Sequence, residues 1–262
     1  MAEHSEEKMC WYHVNSPFNP SPDKSPCSHS MVEQGLEFSL QKCHHKCVLY
    51  SRIIKMYESS ELPDKFWNFE QYVPEDVDRD AWKTLADIRR KIVDFIDAEQ
   101  NIYLYSQQTG NGKTLWAGRL LKTLIYLKAQ NVFNTDYVRY VYIPDFIYHY
   151  EVWDKYSYED TRKVAFFDSV SSLSNSAFVV WDGFGNNPSI STRVETVVIN
   201  SVISDRINKG FSNLFISDKT PQSLRSQENS KAFFTRILNS CIEIEFKGGD
   251  YRKKNLWVHG ED

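Results

Sequence analysis

The run Thr109-Gly110-Asn111-Gly112-Lys113-Thr114-Leu115 combines the residue types that grip a phosphate chain. Two glycines let the backbone turn so that successive N–H groups converge on one point, and a helix starting there adds its positive end. Lys113 would reach the outer phosphates, and the Thr114 hydroxyl would hold a magnesium ion. An apolar and aromatic run, Ile102 to Tyr105, precedes the turn, and Leu115, Leu120, Leu121, Leu124 and Ile125 follow at helical spacing. Strand, glycine turn and helix in that order are the context in which such a motif binds phosphate. The longer pattern, Gly-x4-Gly-Lys-[Ser/Thr], has its first glycine where this sequence has Gln107. The plain alternative is a Gly-Asn-Gly surface turn in front of a helix.

A second element lies downstream. Ala177 to Asp182 is an apolar strand ending in an acid, which is how a Walker B element reads, and Asp182 would hold the magnesium near Thr114. In many hydrolysing ATPases the next residue is a second acid that polarises the attacking water, but here it is Gly183. Asp168 and Glu195 are other candidate bases; otherwise hydrolysis is slow or absent. Ser217 and Asp218, closing a later strand, sit where a polar sensor could touch the γ-phosphate, with Ser217 the better donor because Asp218 would repel it. Arg206, Arg225 and Arg236 are candidates for a cation that neutralises charge on a neighbouring subunit's phosphate, against a surface salt bridge for each alone. Arg252, Lys253 and Lys254 form a small basic tail.

Cysteine placement suggests a metal. Cys10, Cys27, Cys43 and Cys47 all fall early, while Cys241 stands alone near the end. Cys10-x2-His13 and Cys43-x3-Cys47 are two ligand pairs separated by a loop, a pattern suited to tetrahedral Zn2+. The expected set is Cys10, Cys27, Cys43 and Cys47, with His13 as substitute; free thiols or a disordered arm are the alternatives.

These residues need elements to position them. Strands are expected at Ile102–Tyr105, Tyr137–Ile143, Ala177–Asp182, Asn213–Ser217 and Cys241–Phe246. Helices are expected at 48–57, 78–98, 113–129, 145–153, 161–173 and 230–239, with another opened by a Thr192/Glu195 capping box and closed by Gly210. Their alternation predicts an α/β fold with a three-layer parallel sheet, and the 16 residues after Phe246 are expected to leave no room for a helical lid. Residues 1–60 are expected to form a small zinc-stapled N-terminal segment, 61–77 a linker and 78–262 the core. The chain of 262 residues carries a formal charge of -4, so any nucleic acid must meet a local channel rather than a basic surface. No apolar run has the length of a membrane span and no signal-peptide core opens the chain, which predicts a cytoplasmic protein.

Taken in order, Cys43-x3-Cys47, Glu61 to Trp67, Tyr103 to Thr114, Val179 to Asp182, Asp205-Arg206 and Arg236-Ile237 resemble the DnaC/DnaI-like helicase loaders, P-loop NTPases of AAA+ type found in bacterial and phage replication. The resemblance implies an ATP-binding core, Mg2+ at Thr114 and Asp182, and a zinc-containing N-terminal segment that docks on a replicative helicase. It further implies placement of that helicase on single-stranded DNA, with a homo-oligomer on the helicase ring. By position, Lys113 and Thr114 bind phosphate and magnesium, Asp182 is the Walker B acid, Ser217-Asp218 is the first sensor, and Arg236 is the second arginine of the terminal motif. Three positions depart: Gly183 for an acid, Asp218 for asparagine, and Ala232 for the first terminal arginine.

Three functional readings follow. The first is a helicase loader, the second a degenerate, non-hydrolysing AAA+ adaptor that binds and modulates a replication protein. The third is an unrelated nucleotide-binding enzyme such as a small-molecule kinase, which would need an acceptor pocket and a lid. For single-stranded DNA, Tyr148, Tyr150, Trp153, Lys155, Tyr156 and Arg162 mix rings with cations, although core packing is the ordinary role of such rings.

Overall fold

The computed structural model describes residues 48–63, 76–129, 138–153, 155, 157, 160–186, 198–227 and 230–250. The cysteines assigned to zinc, His13, the capping box, Tyr156 and the basic tail lie outside the described residues.

Five strands form one parallel sheet: β1 (Asn101–Tyr105), β2 (Val138–Tyr142), β3 (Phe178–Asp182), β4 (Ser212–Ser217) and β5 (Cys241–Glu245), in the order β2-β3-β4-β1-β5. Because every pairing is parallel, all carboxyl ends lie along one edge. The registers Tyr105↔Ser217, Asp182↔Ile216 and Tyr142↔Asp182 bring the ends of four strands together there. Ligands of open α/β sheets bind outside this edge.

Strands β1, β3 and β4 are buried in both phases because both faces are covered, whereas the edge strand β5 alternates isoleucine with exposed Glu243 and Glu245. On one face Ile102, Leu104, Val180, Leu214 and Ile216 pack against α1 (Val48–Ser60), α2 (Arg79–Arg90), α3 (Ile92–Asp97) and α4 (Lys113–Ala129). On the other, Tyr103, Val179, Trp181 and Phe215 meet α5 (Ile143–Trp153), α6 (Thr161–Ser174), α7 (Asn200–Asn208), α8 (Pro221–Arg225) and α9 (Lys231–Asn239). The three-layer α/β arrangement is therefore as expected. Helix α1, grouped by sequence with the N-terminal segment, sends Ile53 and Tyr57 into this same core.

Two local differences stand out. The single helix expected over 78–98 is kinked at Lys91, where φ is -117° and ψ 32°. Lys91 N still donates to Asp87 O, and Phe95 N donates to Lys91 O, so the apolar spacing that marks the buried face runs through the kink. Helix α8 was not foreseen, although Thr220 caps it by accepting from Ser223 N at 3.2 Å and Pro221 occupies its first turn. Gly210 closes α7 at φ +76°, as expected of a left-handed helix terminus.

Candidate nucleotide-binding site

The turn between β1 and α4 is built by its glycines and a serine. Gly110 and Gly112 adopt φ +74° and +97°, values that only glycine takes without strain. Among the described residues, the non-glycine residues with positive φ are Glu61 and Glu99, so Gln107 needs no glycine and the shortened motif is complete. Ser106 Oγ accepts from Gln108 N at 3.1 Å and from Asn111 Nδ2 at 2.5 Å, which pins the start of the loop to its middle. Leu115 is buried below the loop and Thr109 is exposed above it. Against α4, Trp82 of α2 packs edge-on to Trp116 at 5.0 Å, with the Arg119 guanidinium 5.0 and 5.1 Å from the two rings.

Lys113 is buried at the head of α4, and its Nζ faces Gln108 O at 3.0 Å, Asn111 Oδ1 at 3.3 Å and Asp218 Oδ1 at 3.2 Å. Burial pulls the ammonium pKa below its ordinary value, and Asp218 opposes that shift. Thr114 Oγ1 donates to Asp182 Oδ2 at 3.1 Å. Tyr140 OH donates to the same oxygen at 2.7 Å. Burial raises the Asp182 carboxyl above its usual range, while the Tyr140 and Thr114 hydrogen bonds hold it down. A divalent cation beside this carboxylate would favour its charged form. The Thr114 hydroxyl and Asp182 carboxylate are hard oxygen donors of the kind Mg2+ takes, so the pair fits that ion. Bound there, Mg2+ would neutralise phosphate charge.

The end of β4 is more elaborate than its sequence suggests. Asn186 Oδ1 accepts from Ser217 Oγ at 3.1 Å and from Asp218 N at 3.0 Å, while Asn186 Nδ2 donates to Asp218 Oδ2 at 3.1 Å. Ser217 Oγ also accepts from Lys219 N at 3.0 Å, so the hydroxyl is committed within the protein. Gly183 explains the absent second acid: its φ is +87°, and a Cβ there would lie 3.2 Å from Pro144 Cδ. The backbone turns sharply after β3, with Gly183 N and Phe184 N both donating to Ile216 O. A side chain at this position would be strained.

Sequence reasoning missed Tyr140 and Asn186. Tyr140 carries no local signal, since it is one buried residue among buried neighbours in an ordinary strand. Asn186 carries a weak one: a polar residue in the turn that follows the Walker B strand.

The arginines separate. Arg206 is corrected from a candidate trans-acting cation to a core anchor, because it is fully buried and donates to Asn213 Oδ1, Leu173 O, Ser176 O and Ser212 O at 2.6 to 2.7 Å. Arg225 pairs with Glu243 at 2.9 Å. Arg236 is exposed and donates to Ser204 O at 3.3 Å and Asn208 Oδ1 at 3.2 Å, on α7 rather than on the phosphate loop. Asp168 is exposed on α6. Of the rings considered for nucleic acid, Tyr148 is 64% exposed, whereas Tyr150 packs on Phe166 at 5.8 Å and Arg162 pairs with Asp160 at 2.8 Å. Among the described residues no group of three or more His, Cys, Asp or Glu side chains is placed to hold a metal ion, and no membrane-length apolar helix occurs.

A parallel sheet of this order, with a glycine loop and lysine after β1 and an acid closing β3, defines the P-loop α/β class. No family model and no curated protein matches the sequence. Solved structures do match. A DnaC helicase loader superposes with TM-score 0.53 and 18% identity, covering 71% of this chain and 100% of the loader. A Streptococcus pyogenes protein described as a primosome component gives 0.53 and 15%, covering 79% and 98%. AMPPCP-bound DnaA from Aquifex aeolicus gives 0.52 and 16%, covering 75% of this chain and 56% of that one. The chain thus shares the fold of replication proteins that include a helicase loader and an initiator.

Proposed function

We propose that this chain is an ATP-binding DNA-replication protein of the DnaC/DnaI-like, phage-type kind, which docks a replicative helicase and helps place it on single-stranded DNA. The observation that supports its nucleotide-binding part is the 3.1 Å contact between Thr114 Oγ1 and Asp182 Oδ2 at the head of a helix whose loop glycines have positive φ, while the helicase and single-stranded DNA rest on the resemblance to helicase loaders. Lys113 and the loop N–H groups would take the phosphates, Thr114 and Asp182 the Mg2+, and the N-terminal segment with Cys10, Cys27, Cys43 and Cys47 a Zn2+ that shapes the docking surface. A homo-oligomer on the helicase ring would let Arg236 meet a neighbour's nucleotide, since within one chain it rests on α7.

A second reading has its own observation. Gly183 cannot become an acid without strain, so a non-hydrolysing adaptor that uses nucleotide as a structural switch is also supported. One experiment addresses both: capture of the host's replicative helicase by the purified protein, with and without ATP and Mg2+, beside ATP turnover with and without single-stranded DNA. Capture with DNA-stimulated turnover supports loading, and nucleotide-dependent capture without turnover supports the adaptor. No capture of the helicase under any of these conditions sinks both.

A further inference from the structure

We propose that Asp218 makes this a diphosphate-preferring site, binding a nucleoside diphosphate more tightly than the corresponding triphosphate. The inference rests on the reading of residues 106–114 as a nucleotide-binding loop. An ammonium has three hydrogens, and the Lys113 Nζ faces three protein acceptors: Gln108 O, Asn111 Oδ1 and Asp218 Oδ1. Any phosphate that Lys113 grips must take a place among them. Two of these acceptors are neutral and belong to the loop itself. The third is a carboxylate, and it is held from the far side.

That hold is the unusual feature. Asn186 brackets Asp218 at two points, donating to Oδ2 at 3.1 Å and accepting from its backbone N–H at 3.0 Å. Asn186 is itself fixed by Ser217 Oγ at 3.1 Å, and the strand end beneath is tied to the loop by Ser106 N donating to Ser217 O at 3.2 Å. The carboxylate therefore cannot swing away from Lys113 without losing the Asn186 hydrogen bond. A terminal β-phosphate can share the ammonium with Asp218, as two anions commonly share one lysine. A γ-phosphate adds further negative charge and competes with a fixed carboxylate for the same cation. The Asp218 side chain is 44% exposed, so water softens the repulsion without abolishing it. A neutral asparagine at this position would donate to the same phosphate instead.

The test is calorimetric titration of the full chain with ADP and with the non-hydrolysable triphosphate analogue AMPPCP, both in saturating Mg2+. Wild type is expected to bind ADP about tenfold more tightly, roughly 1.4 kcal/mol. Asp218→Asn should bring the two affinities to within about twofold, chiefly by tightening AMPPCP. Asp218→Ser, read by the same ratio, serves if the first variant does not fold by circular dichroism. Equal or tighter AMPPCP binding by wild type overturns the proposal while leaving the nucleotide-site reading intact. So does a preference that survives in the variant. Failure of both ligands to bind wild type overturns the nucleotide-site reading itself.

Discussion

Thr114 donates its hydroxyl to Asp182 across 3.1 Å, joining the first turn of α4 to the last residue of β3. The two residues are far apart in sequence, and the sheet order brings them together because β3 and β1 both flank β4. If this pair receives Mg2+, Thr114→Ala should remove most of the magnesium dependence of nucleotide binding, about tenfold in affinity, while Thr114→Ser retains it. Titration with a fluorescent ATP analogue, with Mg2+ and with EDTA, reads the difference. Equal magnesium stimulation in Thr114→Ala would remove Thr114 from the metal site.

Tyr140 supplies a second donor to the same Asp182 oxygen at 2.7 Å, from the neighbouring strand. Tyr140→Phe keeps the ring and deletes the hydroxyl, leaving a half-buried carboxylate with one donor fewer. The expected loss is about 1–2 kcal/mol of stability, read as a lower urea midpoint with unchanged slope. Weaker magnesium dependence should accompany it, because the carboxylate is less firmly aimed. An unchanged midpoint would mean that water replaces the hydroxyl at no cost.

Much of this was legible beforehand, for a definable reason. Strands such as Phe178–Asp182 are apolar in both phases, and α4 carries its leucines at helical spacing, so both announce themselves locally. The Lys113–Thr114–Asp182 constellation followed from motif order. The kink at Lys91 was not legible, because burial spacing continues through it. Tyr140 and Asn186 were not legible either: each acts across the sheet edge, and only the registers Tyr142↔Asp182 and Tyr105↔Ser217 reveal who meets whom. Arg206 misled because an arginine late in a helix ordinarily faces solvent, and nothing local marks the three carbonyls that surround it.

Restoring the missing acid should fail. Gly183→Glu places a Cβ at φ +87° and against Pro144, at an expected cost of about 1–3 kcal/mol. Thermal melting should show the loss, and ATP turnover should stay at the wild-type rate. A stable Gly183→Glu protein with accelerated hydrolysis would show that only the acid was lacking.

Cys241 is the described cysteine, and its thiol donates to Ile237 O at 3.2 Å while burial pushes its pKa up to about 12. Thiolate is the reactive form, so at pH 8 the native protein should alkylate this residue at least about a hundredfold more slowly than the unfolded chain. The same shift is a stability statement. A folded pKa above the unfolded one contributes stability fully below about pH 9 that is lost as pH rises toward 12. Mass spectrometry after timed iodoacetamide treatment checks the first point; rapid labelling of Cys241 in the native state would contradict its placement.

Arg206 offers the most demanding test of the core. Burial draws its pKa down to about 9, which leaves it charged at neutral pH. Its fork spans Leu173 O and Ser176 O at the end of α6, Ser212 O at the start of β4, and the Asn213 side chain, all at 2.6 to 2.7 Å. Asn213 in turn accepts from Trp181 Nε1 at 3.1 Å and donates to Asn101 Oδ1 at 2.9 Å, so one guanidinium ties the amino ends of β4 and β1 to the Trp181 side chain of β3. Arg206→Met fills comparable volume but strands those acceptors without donors, and about 3–5 kcal/mol should be lost. Arg206→Lys keeps the charge yet cannot reproduce the planar fork, and about 2 kcal/mol should still go. Guanidinium unfolding of both variants measures this. A Met variant as stable as wild type would mean that the buried cation is no more than tolerated, and that apolar packing alone holds α6 and α7 to the sheet.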